Sequence, residues 1–331
     1  MKFGLTLPNR GVLFGAITAA QMLDLAETAD RSGAYDAIWV GDSLFGKPRM
    51  ESVALLGGLA GRTERVRLGP ACMASFTLRD PVLLAYQWAS LDLLAGGRTV
   101  LVTCTGIVPQ EGYKLEASVY NVEAKDRVGR LIEWMTILKR LWTEDDVTFE
   151  GKHYRFAGVT VEPKPAAKPR PPIWLANNAS GDRALVERTL RRVARHADGW
   201  QTSLTDADDL TWRIGYIREQ AAALGRDPDT LEMSLYHNIN VNEDRQAALE
   251  ESKRFLDTYY MVDYPPSFID AWVATGSPAE CVEHLRAYAR AGFTEIELRC
   301  TSWDQAGQMR RVIEEVLPLY RESVERESVR A

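Results

Sequence analysis

Two side chains in this sequence pair a useful chemistry with a place at the end of an apolar, strand-like run. His237 lies in SLYHNINV and Arg299 in ELRCTSW. An imidazole at such a place can donate to a developing oxyanion or shuttle a proton near neutral pH. A guanidinium can grip an anionic group through two parallel hydrogen bonds. Plainer readings compete: a satisfied histidine within a core layer, and an arginine ion-paired at a rim. Asn9 and Asp42 also close strand-like runs, either to touch a substrate or cofactor or to orient loops. His153, His196 and His284 are read as structural. The sequence has no H-E-x-x-H spacing and no Cys/His cluster, so a protein-bound metal is not expected.

Three further patterns invite chemistry and are read down. Gly41-Asp42-Ser43-Leu44 spells an esterase signature, but no histidine follows an aspartate by three positions. A serine without a base is not an activated nucleophile. Cys72, Cys104 and Cys300 all fall at strand ends, where an unpaired cysteine usually serves as small apolar filler. Arg188, Arg191, Arg192 and Arg195 recur at helical spacing, as on a solvated outer helix face.

The elements that must position these residues alternate along the chain. Strand-like runs cover 2–7, 37–41, 66–72, 99–104, 173–176, 199–202, 232–240 and 295–299, with segments of helical period between them. Asp80-Pro81 and Ser277-Pro278 each set a capping side chain before a proline suited to a first helical turn. Gly96-Gly97 and Gly292 stand just past helix ends, where a left-handed residue is wanted. Strand–helix alternation predicts a parallel sheet with right-handed crossovers. Eight units, with no G-x-G-x-x-G after the first strand, predict a closed (β/α)8 TIM-type barrel over an open sheet. One barrel domain over 1–331 is expected, with insertions at about 105–122, 146–172 and 243–277, of which the first and third follow strands and belong to the C-terminal rim. Their aromatic residues, Tyr113, Tyr120, Tyr259, Tyr260, Tyr264 and Trp272, together with Trp303 after the last strand, are candidates to wall an apolar substrate pocket.

Composition bounds the function. Forty basic against 46 acidic residues leave a net charge of −6, which speaks against a nucleic-acid binder. No run approaches a membrane span, MKFGLTLPNR carries no apolar core of a signal peptide, and four cysteines without C-x-x-C fit a reduced setting. A cytoplasmic enzyme acting on a small molecule is the expectation.

Seven segments, in order, carry a resemblance. They are MKFGLTLPNRG, AIWVGDSLFGKPRMESVALLGGLAGRTERVRLG, LRDPVLLAYQWASLDLLAGGR, LWTEDDVTFEGKHYRF, PKPAAKPRPPIWLANN, RHADGWQTSL and GSPAECVEHLRAYARAGFTEIELR. Together they resemble the bacterial luciferase-like flavin-dependent oxidoreductases over residues 1 to about 320. The resemblance implies a barrel that binds FMN or the deazaflavin coenzyme at its C-terminal face. It places the flavin ring against Met73-Ala74-Ser75 and Thr103-Cys104-Thr105, with Thr103 able to bond a ring carbonyl. It places phosphate at Ala176-Asn177-Asn178-Ala179-Ser180, where the family usually has Gly-Gly-Ser; asparagine tolerates the left-handed backbone that such a nest needs, and the helix that follows offers free N–H donors.

The sequence departs from the deazaflavin dehydrogenases of that family. Ser43 stands where they carry a catalytic histidine, and Thr105-Gly106-Ile107 lacks their glutamate. These departures speak against sugar or alcohol dehydrogenation and leave FMN and other deazaflavin reductases open. With no nicotinamide fingerprint in the chain, which fits an external reductase, the leading expectation is a two-component monooxygenase. Reduced FMN, supplied by a separate flavin reductase, would react with oxygen at C4a and oxygenate a small organic substrate. A deazaflavin-dependent reductase or dehydrogenase is the alternative, with hydride transfer at C5, and a non-catalytic flavin-binding protein is the third reading. His237 and Arg299 are the expected catalytic residues, and Asn9, Asp42, Ser43, Tyr113 and Tyr264 the expected substrate contacts. Homodimers are expected by resemblance.

Overall fold

The computed structural model describes residues 1–106 and 111–330. Along the chain its strands are β1 (Lys2–Leu7), β2 (Ala37–Val40), β3 (Arg67–Pro70), β4 (Leu101–Thr103), β5 (Val147–Glu150), β6 (Arg155–Val159), β7 (Ile173–Ala176), β8 (Gly199–Thr202), β9 (Glu232–Val241), β10 (Val273–Gly276) and β11 (Glu295–Cys300). Eight of them run parallel in the order β3-β2-β1-β11-β9-β8-β7-β4. Bridges from Leu68 to Thr99 and from Met73 to Thr103 then join β3 to β4 and close the ring. This is a (β/α)8 barrel. Helices α1 (Ala19–Ser32), α2 (Ser52–Ala60), α3 (Pro81–Leu94), α4 (Glu111–Val119), α5 (Arg127–Thr143), α6 (Arg183–His196), α7 (Ala207–Ala223), α8 (Arg245–Tyr260), α9 (Pro266–Trp272), α10 (Pro278–Ala291), α11 (Gln305–Arg311) and α12 (Leu317–Arg330) surround it. None of the described helices is long and apolar enough to cross a membrane.

Local chemistry sets the element ends. Asp80 caps α3 through the Leu83 N–H, Ser277 forms a capping box with Glu280 on α10, and Gly292 closes α10 in the left-handed region at φ 102°. Parallel strands buried on both faces should be apolar throughout, and the buried β2 (AIWV) and the buried part of β1 (FGLTL) nearly are. The middle of the barrel is filled by Trp39 and Trp174, whose ring centroids lie 5.4 Å apart. Glycine makes that space: a Cβ at Gly4 would stand 2.4 Å from Trp39 Nε1.

The barrel floor is charged. Arg67 pairs with Glu232 at 2.7 Å and with the fully buried Glu295, which also accepts from Trp39 Nε1 at 2.8 Å. One layer higher, Glu297 accepts from Gln201 Nε2 at 2.7 Å and from Ser234 Oγ at 2.6 Å. Burial, and then the nearby Glu295, push the Glu297 carboxyl up to about 8.

Several sequence expectations shift in detail. The third strand ends at Pro70, and the Ala71–Cys72 peptide beyond it is cis. The helix expected over 304–320 divides at a π-helical turn, Val312–Val316, and continues to Arg330. Segment 105–122 contains α4, and 243–277 folds as α8, α9 and β10, with β10 pairing only with the C-terminal half of β9. The expected hairpin in 146–172 is β5–β6, tied to α5 where Glu133 accepts from the Lys152 and His153 N–H groups.

Candidate active site

A cavity of about 770 Å³ opens at the C-terminal ends of the strands. Its walls differ in character. On one side Ala71, Cys72, Ala74, Cys104 and Gly106, after β3 and β4, form a lining of small side chains that continues to Leu175 and Ala176 on β7. On the other side stand Arg299 from β11, Tyr236 from β9, Tyr260 at the end of α8, and Tyr264 and Trp272 around α9.

Arg299 is only 1% exposed, yet among the described residues no carboxylate pairs with it. Its Nη1 donates to the Tyr260 hydroxyl at 2.7 Å, and its guanidinium carbon lies 4.1 Å from the Tyr259 ring centroid and 5.2 Å from that of Tyr236. Lys47 reaches the same group, its Nζ 4.7 Å from the Tyr260 centroid, and Arg49 lies 5.6 Å from the Tyr259 ring. Burial, then the neighbouring Arg49 and Arg10, bring the Lys47 ammonium down to about 8. Buried charge is costly unless something compensates it. Here the compensation is partial and comes from ring faces and hydroxyls.

Lys47 rides on a loop that the sequence does not show to be organised. Glu116 of α4, fully buried, accepts from the N–H groups of Leu44, Phe45 and Gly46 at 3.0, 2.7 and 2.8 Å through a single carboxylate oxygen. The Ser43 hydroxyl lies 3.4 Å from the same oxygen and accepts from the Lys47 N–H at 2.8 Å. Ser43 thus serves this loop and does not line the cavity. Tyr113, also from α4, does line it, and burial pushes its hydroxyl up to about 12.

The other expected residues divide similarly. Asp42 borders the cavity but is committed to Ser75 N, Ser52 Oγ and Arg79 at 2.7, 2.7 and 3.2 Å. Asn9 lies behind the wall, donating to Gly41 O at 2.7 Å and accepting from the Tyr259 hydroxyl at 3.2 Å. Of Met73-Ala74-Ser75 only Ala74 faces the cavity. Thr103 faces away, its hydroxyl spent on Trp174 O at 2.9 Å, while its neighbours Cys104 and Thr105 line the wall. Tyr264 lines it as expected from its place in the rim, with its hydroxyl pushed up by burial. Ile107 lies outside the described residues.

His237 is a correction. Strand side chains alternate, and Tyr236 takes the inward direction. His237 therefore points outward to α10, where its Nε2 lies 2.9 Å from His284 Nε2 and its ring centroid 5.0 Å from that of Tyr288. Burial pushes both imidazoles below their usual range, so both are neutral near pH 7. The phosphate segment is also rearranged. Ala176, Asn177, Asn178 and Ala179 line the cavity and Ser180 does not. Neither asparagine is left-handed; Gly181 is, at φ 84°. Asp182 already caps α6 through the Ala184 N–H, setting a negative charge where an anion was expected. Donors lie instead on Asn177, whose Nδ2 is buried without a partner, and on Arg188 and Arg192, which border the cavity rather than only a solvated face.

Three buried donors in this lining, Asn177 Nδ2, Trp272 Nε1 and Arg299 Nε, have no acceptor among the described residues. The site asks for a ligand rich in acceptors and in negative charge. A family model for luciferase-like monooxygenases matches residues 1–295. The chain belongs to the luciferase-like monooxygenase family. Among curated relatives, the F420-dependent glucose-6-phosphate dehydrogenase of Nakamurella multipartita is 27% identical over 327 residues, covering 91% of this chain and 93% of that one. The enzyme of the same name from Kineococcus radiotolerans is 24% identical over 326 residues, covering 91% and 93%. Among solved structures, an F420-dependent secondary alcohol dehydrogenase in complex with an F420–acetone adduct superposes with a TM-score of 0.80 at 16% identity, covering 96% of this chain and 98% of that one. Monooxygenase RslO1 from Streptomyces bottropensis superposes at 0.78 and 23%, covering 97% and 100%. These structures share the fold. This luciferase-like chain is an oxidoreductase, and its cavity lies where such barrels place their chemistry, beyond the strand C-termini.

Proposed function

We propose that this luciferase-like oxidoreductase binds the deazaflavin coenzyme F420 and catalyses hydride transfer between it and a small organic substrate that carries an anionic group. The observation that carries the substrate class is Arg299, a buried cation facing the cavity with no carboxylate to answer it among the described residues. Support for the coenzyme comes from the F420-dependent relatives, which weigh toward this reading over the expected oxygenation by reduced FMN. The residues present fit such a group. The small wall of Ala74, Cys104 and Ala176 admits a flat ring, while Asn177 Nδ2 and the Arg188 and Arg192 side chains offer donors to an anionic tail.

When bound, a deazaflavin supplies or accepts a hydride at C5. The protein's part is to orient the substrate and to handle the proton. Arg299 fixes the anionic end of the substrate against the tyrosine faces. Lys47, about 8 and hence mostly protonated at neutral pH, holds a proton at Nζ for an oxygen that gains negative charge. Its proton is replaced from solvent. An ammonium donor, with Ser43 in the family's histidine position, favours reduction of a carbonyl over oxidation of an alcohol, which needs a base.

Anaerobic titration decides the coenzyme. Reduced F420 should bind in the micromolar range and be reoxidised by anionic carbonyl compounds. Tighter binding of reduced FMN, with oxygen consumed in step with product, would overturn the reading in favour of the monooxygenase.

A further inference from the structure

The small wall of the cavity holds two thiols that the proposed reaction leaves unused. Cys72 lies just beyond β3 and Cys104 just beyond β4, on either side of the Met73–Thr103 bridge that closes the barrel. Their sulfurs are 2.7 Å apart, and both residues line the cavity. Cys104 also lies 3.6 Å from Met73 O, which fixes its side chain toward its neighbour. A disulfide spans about 2.05 Å between sulfurs, so only a small movement separates this pair from a bond. The other two cysteines have no such partner: Cys281 is buried against Ala274 O and Gly276 O, and Cys300 is buried in β11.

Small apolar filler, the reading taken from sequence, accounts for Cys281 and Cys300. It does not account for two thiols in contact on the face of a catalytic cavity. We propose that Cys72 and Cys104 form a redox-active dithiol in the cavity wall, closed to a disulfide by a hydroperoxide and reopened by a thiol reductant. One sulfur, as thiolate, attacks the peroxide oxygen and becomes a sulfenic acid, while the O–O bond breaks and the leaving oxygen departs as water or alcohol. The second thiolate attacks that sulfur, the S–O bond breaks, and hydroxide leaves and takes up a proton as water. Two thiols lose two electrons and two protons, and the peroxide takes them up. Reduction by a dithiol reverses the exchange.

The hydrogen bond to Cys104, together with burial, pushes the Cys72 thiol well above its usual range. Only the thiolate attacks, so closure should quicken as pH rises through the alkaline range. The proposal rests on the sulfur geometry and is independent of which coenzyme the cavity binds.

The test uses the reduced full-length protein and hydrogen peroxide. Titration under denaturing conditions should show free thiols falling from four to two, with the intact mass lower by two hydrogens. A non-reducing peptide map should join Cys72 to Cys104, and dithiothreitol should restore all four thiols. Cys72→Ser and Cys104→Ser should each abolish the cross-link, and the wild-type map stands alone if either variant fails to fold. Four thiols surviving excess peroxide would overturn the proposal. So would oxidation confined to Cys281 or Cys300, or uncrosslinked oxygen adducts on Cys72 or Cys104.

Discussion

The two walls of the cavity solve opposite problems. The β3–β4 wall is neutral and narrow-chained, built from Ala74, Cys72, Cys104 and Gly106, and it leaves room. The β9–β11 wall is crowded and positive, with Arg299 against three tyrosine rings and Lys47 lying over the Tyr260 ring. A flat, electron-carrying ring needs close approach with few polar demands, whereas an anionic substrate needs fixed cations kept from bulk water. Under the proposed function the two walls divide the labour in this way, one for the ring and one for the anion.

The largest effect should come from Arg299→Ala. Truncating a buried charge on an anion costs about 3 kcal/mol, so kcat/KM for an anionic substrate should fall about 100-fold, while a neutral substrate of the same skeleton should lose far less. Equal losses on both would mean that the positive wall does not bind the anion. Lys47→Gln comes next, with carbonyl reduction slowed about 100-fold or somewhat less. The sign of the pH dependence follows from its titration: the ammonium is present below about 8, so wild-type reduction should decline above that pH, and the variant should lose this limb. A profile unchanged in the variant would remove Lys47 from proton transfer.

Glu116→Gln should weaken the loop that carries Lys47 without removing a group from the cavity. A charged acceptor of several N–H bonds is worth about 2 kcal/mol, so a lowered melting temperature with a few-fold loss in kcat is expected. Full stability would show that the loop holds itself. The smallest effect on turnover is assigned to His237→Gln. Its imidazole faces His284 and Tyr288 outside the barrel, so kcat/KM should stay within about twofold while stability drops by about 1 kcal/mol or more. A large selective loss of activity would restore the histidine to the site.

His237 and Arg299 also mark how far the sequence could be read. Both carry a polar side chain near a strand end. Arg299 shares its inward direction with Glu297 and Glu295, two and four residues earlier, whereas His237 follows an inward Tyr236 and must face out. Strand parity against a core of mixed polarity is not legible from one strand. Thr103 against Cys104 fails in the same way, by one residue. The strand–helix order, the caps at Asp80 and Ser277 and the left-handed Gly292 were legible, since each depends on neighbours a few positions away.

The contacts that are not legible in sequence span long separations. Glu116 meets a loop 70 to 73 residues away, and Cys72 meets Cys104 across 32. No local signal in either segment points to its partner. The sequence by itself determined a barrel of eight strand–helix units, because hydrophobic period and capping act over one turn or one strand. Only the tertiary structure decided which side chains share the cavity, because that depends on register, closure and strand direction summed around the whole ring. It turned His237 away, left Arg299 buried without a counterion among the described residues, and brought two fillers together as a pair of thiols.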